Sequence, residues 1–473
     1  WWVYHRSVGN TKYLYLNSSI AGYTGSEAWN NTTPTASVFT VGNDTAVNAN
    51  GETYIAYIFA HDDQSFGDDG DEAVIKCGSY TGNGTTSNEV NVGFEPQWLL
   101  IKTSTASGHS WYIFDTMRGI VSGGNDASLL ANSSNAEDTS FSPVELTSTG
   151  FKLTHGSTNA VNGSSQDYIY IAIRRPHKPP SAATDVFDVQ THTSDVSGAL
   201  SSSTITADAL ISVAYNSSTY NKVLTTRLLE KYFYTNTTAA PNSGSHWAYD
   251  EQTGIRHTDW FGAQNIVDYT FKRAPGFFDV VTYTGTGSNQ TVSHNLGVTP
   301  ELMIVKRRDS SGAWRVYSSP TGAGKYLRLD SNAEAATTST RWNNTAPTST
   351  VFTVGTASDV NGSGGEFIAY LFASLDGISK IGSYTGTGSA RNLDFGFTAG
   401  ARFFLYKRTD DSQNWVVFDT GRGITAGTDY GVPLNEVDAQ FSGDYVDPYN
   451  AGISLTGSVA NNSGATFIYL AIA

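Results

Sequence analysis

The chain has 473 residues, of which 15% are charged, 12% are aromatic and one is a cysteine, and its formal net charge is −15. A surface of this charge would repel phosphates, so the composition argues against a nucleic-acid partner. No apolar run approaches the ~18 residues of a membrane-spanning helix, and the lone Cys77 excludes an internal disulfide. The low charge and the aromatic content instead favour a β-rich protein of about three to five domains.

The first predicted elements belong to a long internal repeat. Residues 1–60 align with residues 314–373 at a constant offset of 313, with 30 identities in 60 positions. The alignment contains a Trp-Asn-Asn-Thr-x-Pro motif, which we interpret as a rigid corner because Asn and Thr bond the local backbone and Pro fixes φ. The corner residues are Trp29, Asn30, Asn31 and Pro34 in one copy and Trp342, Asn343, Asn344 and Pro347 in the other.

A second motif, Trp-x-x-Phe-Asp-Thr-x-Arg-Gly, occurs twice at an offset of 304. Its Asp and Arg could act as a recognition pair, but we interpret them as a structural ion pair that fixes a turn. The residues are Trp111, Asp115 and Arg118 in the first copy and Trp415, Asp419 and Arg422 in the second.

An apolar strand is predicted to close each repeat. The spacing of these closing strands predicts an all-β fold of tandem β-sandwich-like modules of about 100 residues each. A row of such modules is typical of structural or binding proteins rather than of one catalytic pocket. The closing strands begin at Tyr54, Tyr168, Ile266, Phe367 and Phe467. The predicted repeats are I (1–60, partial), II (74–176), III (186–274, divergent), IV (277–373, a copy of I) and V (378–473, a copy of II).

Repeat I is expected to be incomplete. Repeat IV has about 36 residues before Trp314, and these residues have no equivalent ahead of Trp1. We therefore expect the sequence to be a fragment, a processed product or part of a longer chain. The alternative, a true N-terminus at Trp1, would leave a module without its first strands unless another chain supplied them.

The closing strand of repeat I, 54–60, is apolar on both faces, because alternate side chains of a strand point in opposite directions. A sandwich buries one face of each sheet. The second face is therefore expected to meet another module or subunit, or to be covered by a loop of its own repeat. Helical periodicity is nearly absent, and the best helix candidate is 225–234.

The candidates for chemistry are few. Tyr-Thr-Gly-x-Gly at 80–84, 283–287 and 384–388 lacks the third Gly and the helix of a phosphate loop, so it predicts turns or close backbone approach. The densest acidic run holds weak Ca²⁺ candidates, but its spacing fits no known loop, and we interpret it as a solvated insert. No zinc motif or carboxylate pair stands out, so no catalytic residue and no cofactor are predicted. The Ca²⁺ candidates are Asp62, Asp68, Asp69 and Asp71, in a run that also contains Asp63 and Glu72.

Several motifs together resemble a known family. The sequence FFDVVTYTGTG at 277–287 is followed by HNLGVTPE at 294–301 and by Lys306. With the two tryptophan motifs, these segments resemble a repeated domain of tailed phages of marine bacteria, especially cyanophages. The resemblance is strong over 1–176 and 277–473 and poor over 186–265. It implies a virion structural, tail-fibre or tail-associated protein, and it supplies no catalytic residues.

We therefore expect a non-enzymatic virion protein, a tail fibre or appendage on the particle surface that gives reach and host-surface adhesion. Many weak module contacts would raise avidity. The expected partners are further copies of the chain, with a trimer favoured, other virion proteins and a host surface glycan or protein; no nucleic acid and no membrane insertion are expected. Two alternatives are a cellular surface adhesin or filament subunit and a polysaccharide-degrading tailspike.

Overall fold

The computed structural model describes residues 1–62, 64–67, 70–156, 160–192, 203–244, 246–249, 252–257, 260–262, 264–457 and 459–473. The chain forms two compact units, 1–177 and 178–473. The regular secondary structure of the described residues is almost entirely β, which confirms the predicted fold class; the rest of it is two four-residue helices and one 3-10 turn. Among these residues, no helix has the length and apolar character needed to cross a bilayer.

The first unit contains one six-stranded antiparallel sheet and two three-stranded sheets. In the large sheet, of order β4-β12-β6-β7-β8-β9, the closing strand β12 lies between the first and third strands of its own repeat. The small sheets have the orders β1-β2-β3 and β10-β11-β5. The bounds are β1 Trp2–Val3, β2 Lys12–Tyr15, β3 Tyr23–Thr24, α1 Thr45–Asn48, β4 Ile75–Thr81, β5 Asn88–Asn91, β6 Pro96–Thr103, β7 Tyr112–Asp115, β8 Asp126–Leu130, β9 Asp138–Phe141, β10 Val144–Thr147, β11 Gly150–Leu153 and β12 Asp167–Arg174.

The second unit uses the same strand order three times. Its large sheets are β13-β19-β14-β15-β16 in repeat III, β20-β27-β22-β23-β24-β25 in repeat IV and β28-β36-β30-β31-β32-β33 in repeat V. Repeat III thus shares the strand order of the others although its sequence matches them poorly. Its bounds are a 3-10 turn Ala183–Asp185, β13 Phe187–His192, β14 Ala209–Ala214, β15 Val223–Thr226, β16 Lys231–Tyr234, β17 Trp247–Ala248, β18 Arg256–His257 and β19 Ile266–Phe271.

Repeats IV and V each add a small second sheet, of order β21-β26 and β29-β35-β34 respectively. The bounds in repeat IV are β20 Phe278–Thr284, β21 Gln290–Ser293, β22 Leu302–Arg307, β23 Arg315–Ser318, β24 Lys325–Arg328, β25 Ala336–Thr337, β26 Val351–Val354, α2 Ser358–Asn361 and β27 Glu366–Phe372. Those in repeat V are β28 Ser379–Thr385, β29 Arg391–Asp394, β30 Phe403–Arg408, β31 Val416–Asp419, β32 Asp429–Pro433, β33 Phe441–Gly443, β34 Val446–Tyr449, β35 Gly452–Leu455 and β36 Thr466–Ile472.

The two faces of the closing strand β27 enter two different cores. Ile368 and Tyr370 belong to a core to which repeats III, IV and V all contribute. Phe367 and Leu371 point the other way, into the core of repeat IV beneath its small sheet. In repeat IV the second apolar face therefore meets neighbouring modules. The three modules of this unit are not arranged as a row of separate bodies, because their inner faces form one core.

The predicted helix at 225–234 is wrong. Strands β15 and β16 pair there as an antiparallel hairpin, with Val223 opposite Tyr234 and Thr226 opposite Lys231. Glu230 takes a left-handed φ of 49° in the turn. All four side chains of β15 are buried, and this burial in a sheet outweighs a weak local helix preference.

The predicted closing strand of repeat I is also absent. Residues 52–60 form no strand, and Ile55 and Ile58 are 76% and 75% exposed. In repeat IV the equivalent strand β27 is held by β20 and β22 on its two sides, and repeat I contains no counterpart of either. Without neighbours a strand has no ladder hydrogen bonds. The other four predicted closing strands are present as β12, β19, β27 and β36.

The Tyr-Thr-Gly-x-Gly motifs form a close backbone contact. A Cβ on Gly386 would lie 2.1 Å from the carbonyl oxygen of Asn462, and Gly388 has a φ of +71°. The Tyr384 hydroxyl donates to the Ala460 carbonyl at 2.6 Å, and the buried Asn461 side chain accepts from the backbone N–H of Thr387. The motif fastens the first strand of the repeat to the loop before its closing strand. The same tyrosine bond forms from Tyr80 to Val161 and from Tyr283 to Val360.

Candidate functional site

Three tryptophans join one repeat to another. Each immediately precedes the fourth strand of its repeat, is at most 3% exposed, and donates its indole Nε1–H to a backbone carbonyl of a different repeat. A buried indole N–H needs an acceptor, and a carbonyl at a strand end supplies one. The donor–acceptor pairs are Trp111 to Tyr15 at 2.8 Å, Trp314 to Tyr234 at 3.0 Å and Trp415 to Arg328 at 2.7 Å.

The backbone of each tryptophan is fixed in the same way. Its N–H donates to a side-chain oxygen that lies 16 to 21 residues later in the same repeat, and this bond sets where the fourth strand begins. The acceptors are Asn132 for Trp111, Asp330 for Trp314 and Asn435 for Trp415, at 2.8, 3.1 and 2.8 Å.

Lys222 takes the place of the tryptophan in repeat III. It precedes β15, its backbone N–H donates to Asn236 Oδ1 at 3.1 Å, and its side chain is buried. The Lys222 ammonium donates to the carbonyls of Val437 and Asp438 in repeat V, at 3.3 and 2.9 Å. In the second unit, repeat III therefore binds V, V binds IV, and IV binds III. We call Trp111, Lys222, Trp314 and Trp415 the joint residues.

The joint residues of the second unit surround an aromatic core. The ring of Phe271 lies 5.5 Å from Phe278, 5.7 Å from Phe372 and 6.2 Å from Phe403, so one side chain of repeat III contacts both other repeats. A cavity of about 30 Å³ lies at this centre, lined by apolar side chains of all three repeats. It has room for about one water molecule, which makes it a packing defect rather than a substrate pocket.

Buried lysines reinforce the joints. Lys102, Lys306 and Lys407 are fully buried, and loss of hydration on burial lowers the pKa of each to about 8. Lys407 donates to the carbonyl of Asn332 in repeat IV at 3.1 Å. Lys102 reaches Ser19 of repeat I at 3.4 Å. Burial likewise lowers the pKa of Lys222 to about 8. These ammonium groups donate to backbone carbonyls outside the strands, so each buried cation keeps a hydrogen-bond acceptor.

Both Asp–Arg pairs lie at turns. Arg422 Nε donates to Asp419 Oδ2 at 2.7 Å, and Asp419 Oδ1 accepts the Arg422 backbone N–H. The Tyr269 hydroxyl of repeat III donates to the same carboxylate at 2.7 Å, so this pair also belongs to the contact between repeats. Asp115 and Arg118 form the same pair at 2.6 Å, and Arg118 further binds Glu137.

The Asn-Asn corners adopt a strained backbone. Asn343 and Asn344 have φ of 51° and 49°, and Asn30 and Asn31 have φ of 50° and 49°. Asn enters this left-handed region more readily than other residues that carry a Cβ. Each corner is anchored by a tryptophan indole that donates to a β-strand carbonyl. The anchoring bonds are Trp29 to Lys12 at 3.1 Å and Trp342 to Lys325 at 3.0 Å; Pro34 is half-buried and Pro347 is buried.

The acidic run does not form a metal site within the described residues. Asp62 pairs with Lys76 at 3.1 Å, Glu72 pairs with Arg174 at 2.8 Å, and Asp71 is exposed. Across the described ranges, no group of three or more His, Cys, Asp or Glu side chains could hold a metal ion. The candidates Asp68 and Asp69, and their neighbour Asp63, lie outside the described residues.

One buried polar cluster was not predicted from the sequence. Asp268 is fully buried in β19 and accepts from the Ser212 hydroxyl on one side and pairs with His192 at 3.1 Å on the other. A nucleophile triad needs the histidine between the serine and the carboxylate, whereas here the carboxylate is in the middle. The arrangement ties three neighbouring strands together and does not activate the serine. An Asp inside the apolar run Ile266–Phe271 was the available signal.

The fold and the joints define an all-β protein of fused sandwich-like modules. The chain matches the family described as a domain of unknown function (DUF7483) over residues 1–176 and 274–473. These stretches make up more than half of the sequence, and the chain belongs to that family. No curated protein matches it.

Proposed function

We propose that the chain is a non-enzymatic structural protein of a phage particle, a tail fibre or appendage on the virion surface that gives reach and host-surface adhesion. The observation that carries the proposal is the way in which repeats III, IV and V close on one another through Lys222, Trp314 and Trp415. Contacts of this kind make several modules one stiff body, which suits a part that transmits force and presents surface. The motif resemblance to virion proteins of marine phages supports the same assignment.

Two further features favour a structural role over catalysis. The side chains of the Asp–Arg pairs are engaged in hydrogen bonds that fix turns and contacts between modules. The cavity at the centre of the second unit is apolar and about the size of a water molecule. The formal charge of −15 makes an outer surface a more suitable location than a nucleic-acid-packed interior. Further copies of the chain, with a trimer favoured, and other virion proteins are the proposed partners.

Immunoelectron microscopy of purified particles tests the location. Antibody raised against the chain should label tails or appendages of the virion, and labelling of the surface of uninfected cells would instead indicate a cellular adhesin or filament. The mass of the native assembly, measured by light scattering, should be three times that of the chain. For adhesion, the purified protein should bind host cells and reduce phage adsorption. Release of oligosaccharides from host capsular glycan would contradict the non-enzymatic assignment and favour a tailspike.

A further inference from the structure

Two segments of repeat I expose side chains that are buried in repeat IV. In the first segment, 38–41, Val38 is 62% exposed; its equivalents 351–354 form strand β26, in which Phe352 and Val354 are fully buried. In the second segment, 54–60, Ile58 is 75% exposed, while its equivalent Leu371 is fully buried in the core of repeat IV. The two copies have nearly the same residues at these places, so the sequence of the segments does not cause the difference.

The contacts of these segments do not form a strand ladder. In the first segment, the Val38 N–H donates to Thr35 Oγ1 at 3.1 Å and the Val38 carbonyl accepts from Thr35 N at 2.8 Å. The Tyr54 hydroxyl donates to Thr45 O and accepts from Ala49 N, the ring of Tyr57 lies 6.0 Å from Trp1, and Cys77 Sγ lies 3.9 Å from Ala60 O. Within the described part of the chain, no strand pairs with either segment. Exposed apolar patches whose backbone is not paired in a sheet mark places where another polypeptide binds.

In repeat IV, one continuous segment covers both equivalents. Residues 278–307 supply β20 and β22, which pair with the two sides of β27, and β21, which pairs with β26. The family match over residues 274–473 includes this segment. One stretch of about 30 residues thus supplies the strand partners of both places and buries the face of β27 that carries Phe367 and Leu371.

We propose that segments 38–41 and 54–60 form an acceptor site for a strand donor, a polypeptide segment with the sequence character of residues 278–307. The donor contributes three antiparallel strands: two enclose 54–60 and one pairs with 38–41. Apolar donor residues equivalent to Val281, Val292 and Val305, which are buried in repeat IV, fill the space beneath the small sheet that the donor forms with 38–41. Backbone pairing supplies affinity, and the apolar alternation supplies specificity.

A tethered donor tests the proposal in the full chain. A copy of residues 277–313 joined ahead of Trp1 reproduces the residue order of repeat IV. Hydrogen exchange should slow by at least about tenfold at the amides of both 38–41 and 54–60, because both become strand amides. Exchange across 178–473 in the same sample reports whether the rest of the protein is folded as before.

The matched control carries the same added segment with Val281→Asp, Val292→Asp and Val305→Asp in the copy. It should leave both acceptor segments as fast to exchange as in the unaltered chain. Equal protection by the control and the intact donor would overturn the proposal, as would no protection by the intact donor while 178–473 is unchanged. Protection in the unaltered chain that grows with protein concentration would also overturn it, because a second copy would then cover the segments.

Discussion

At the scale of single residues, a buried joint tryptophan should contribute more to stability than an exposed tryptophan at the equivalent position of another repeat. Trp314 and Trp1 occupy equivalent positions, but Trp314 is fully buried and bonded to the Tyr234 carbonyl, whereas Trp1 is 64% exposed. Trp314→Phe removes the indole hydrogen bond to that carbonyl and leaves a void, so we expect a loss of about 2–4 kcal/mol in the free energy of unfolding.

The matched variant for this prediction is Trp1→Phe. Substitution of an exposed side chain usually changes stability by about 0.5 kcal/mol or less, so its urea midpoint should stay close to that of the unaltered chain. Far-UV circular dichroism follows both transitions without relying on tryptophan emission. Similar losses in the two variants would contradict a special role for the joint.

The buried lysines predict a dependence of stability on pH. Lys222, Lys306 and Lys407 have folded-state pKa values of about 8, below the value of 10.5 for a free lysine. Between these values the unfolded state holds protons that the folded state has released, so stability rises with pH. Each lysine should add about 1 kcal/mol to the free energy of unfolding between pH 8 and pH 9.

The rise should end between pH 9 and pH 10, because burial raises the pKa of many tyrosines and those of the unfolded state begin to lose their protons there. Burial raises the pKa of Tyr234 and Tyr469 to about 12, so there the folded state keeps protons that the unfolded state loses, and stability falls. Urea unfolding at half-unit steps from pH 7 to pH 11 should show a maximum near pH 9 to 10. Lys407→Met should reduce the slope above pH 8, while Met at the exposed Lys325 should leave it unchanged; a flat profile would contradict the buried-lysine account.

The sequence revealed some of these residues and not others. Trp111 and Trp415 stood out because their motif is repeated, and the interpretation of Asp419 and Arg422 as a turn pair agrees with their contacts. Lys222 could not be identified, because a lysine replaces the repeated tryptophan and its acceptors lie more than 200 residues later, at Val437 and Asp438. A residue's role at a joint depends on a partner that the local pattern does not contain.

At the scale of elements, the effect of a substitution in the Asn-Asn corner on stability should depend on backbone strain. Asn344 has a φ of 49°, a conformation that costs most residues about 1–2 kcal/mol and glycine almost nothing. Asn344→Ala should therefore lower the free energy of unfolding by about 1 kcal/mol, and Asn344→Gly should leave it close to the original value. Urea unfolding of the two variants side by side checks the difference. Equal destabilisation by both would show that the side chain, rather than the backbone, matters.

The strands show which element-scale features can be predicted. Apolar runs correctly identified the closing strands β12, β19, β27 and β36, because most of their side chains are buried on both faces. The same pattern at 54–60 did not produce a strand, since pairing needs neighbouring chains as well as suitable residues. The hairpin of β15 and β16 was mistaken for a helix because its long-range packing outweighs local preference. The residue pattern indicates which segments are suited to form strands. The presence of neighbouring strands to pair with decides which of these segments form them.

At the scale of the whole molecule, residues 178–473 should unfold as one body. Repeats III, IV and V share one apolar core, so removal of any one exposes the inner faces of the other two. A chain that lacks repeat III (186–274) should lose slow hydrogen exchange throughout 277–473 and should bind a dye specific for exposed apolar surface. A row of independent modules would instead leave exchange in repeats IV and V unchanged.

Removal of the first unit provides the comparison for that deletion. Residues 1–177 form a separate compact unit, so a chain that begins at residue 178 should keep the exchange pattern of repeats III to V and a single unfolding transition. The contrast between the two deletions separates loss of a shared core from a general effect of truncation. If both deletions gave the same outcome, the core of repeats III to V would not be the cooperative unit that its packing implies.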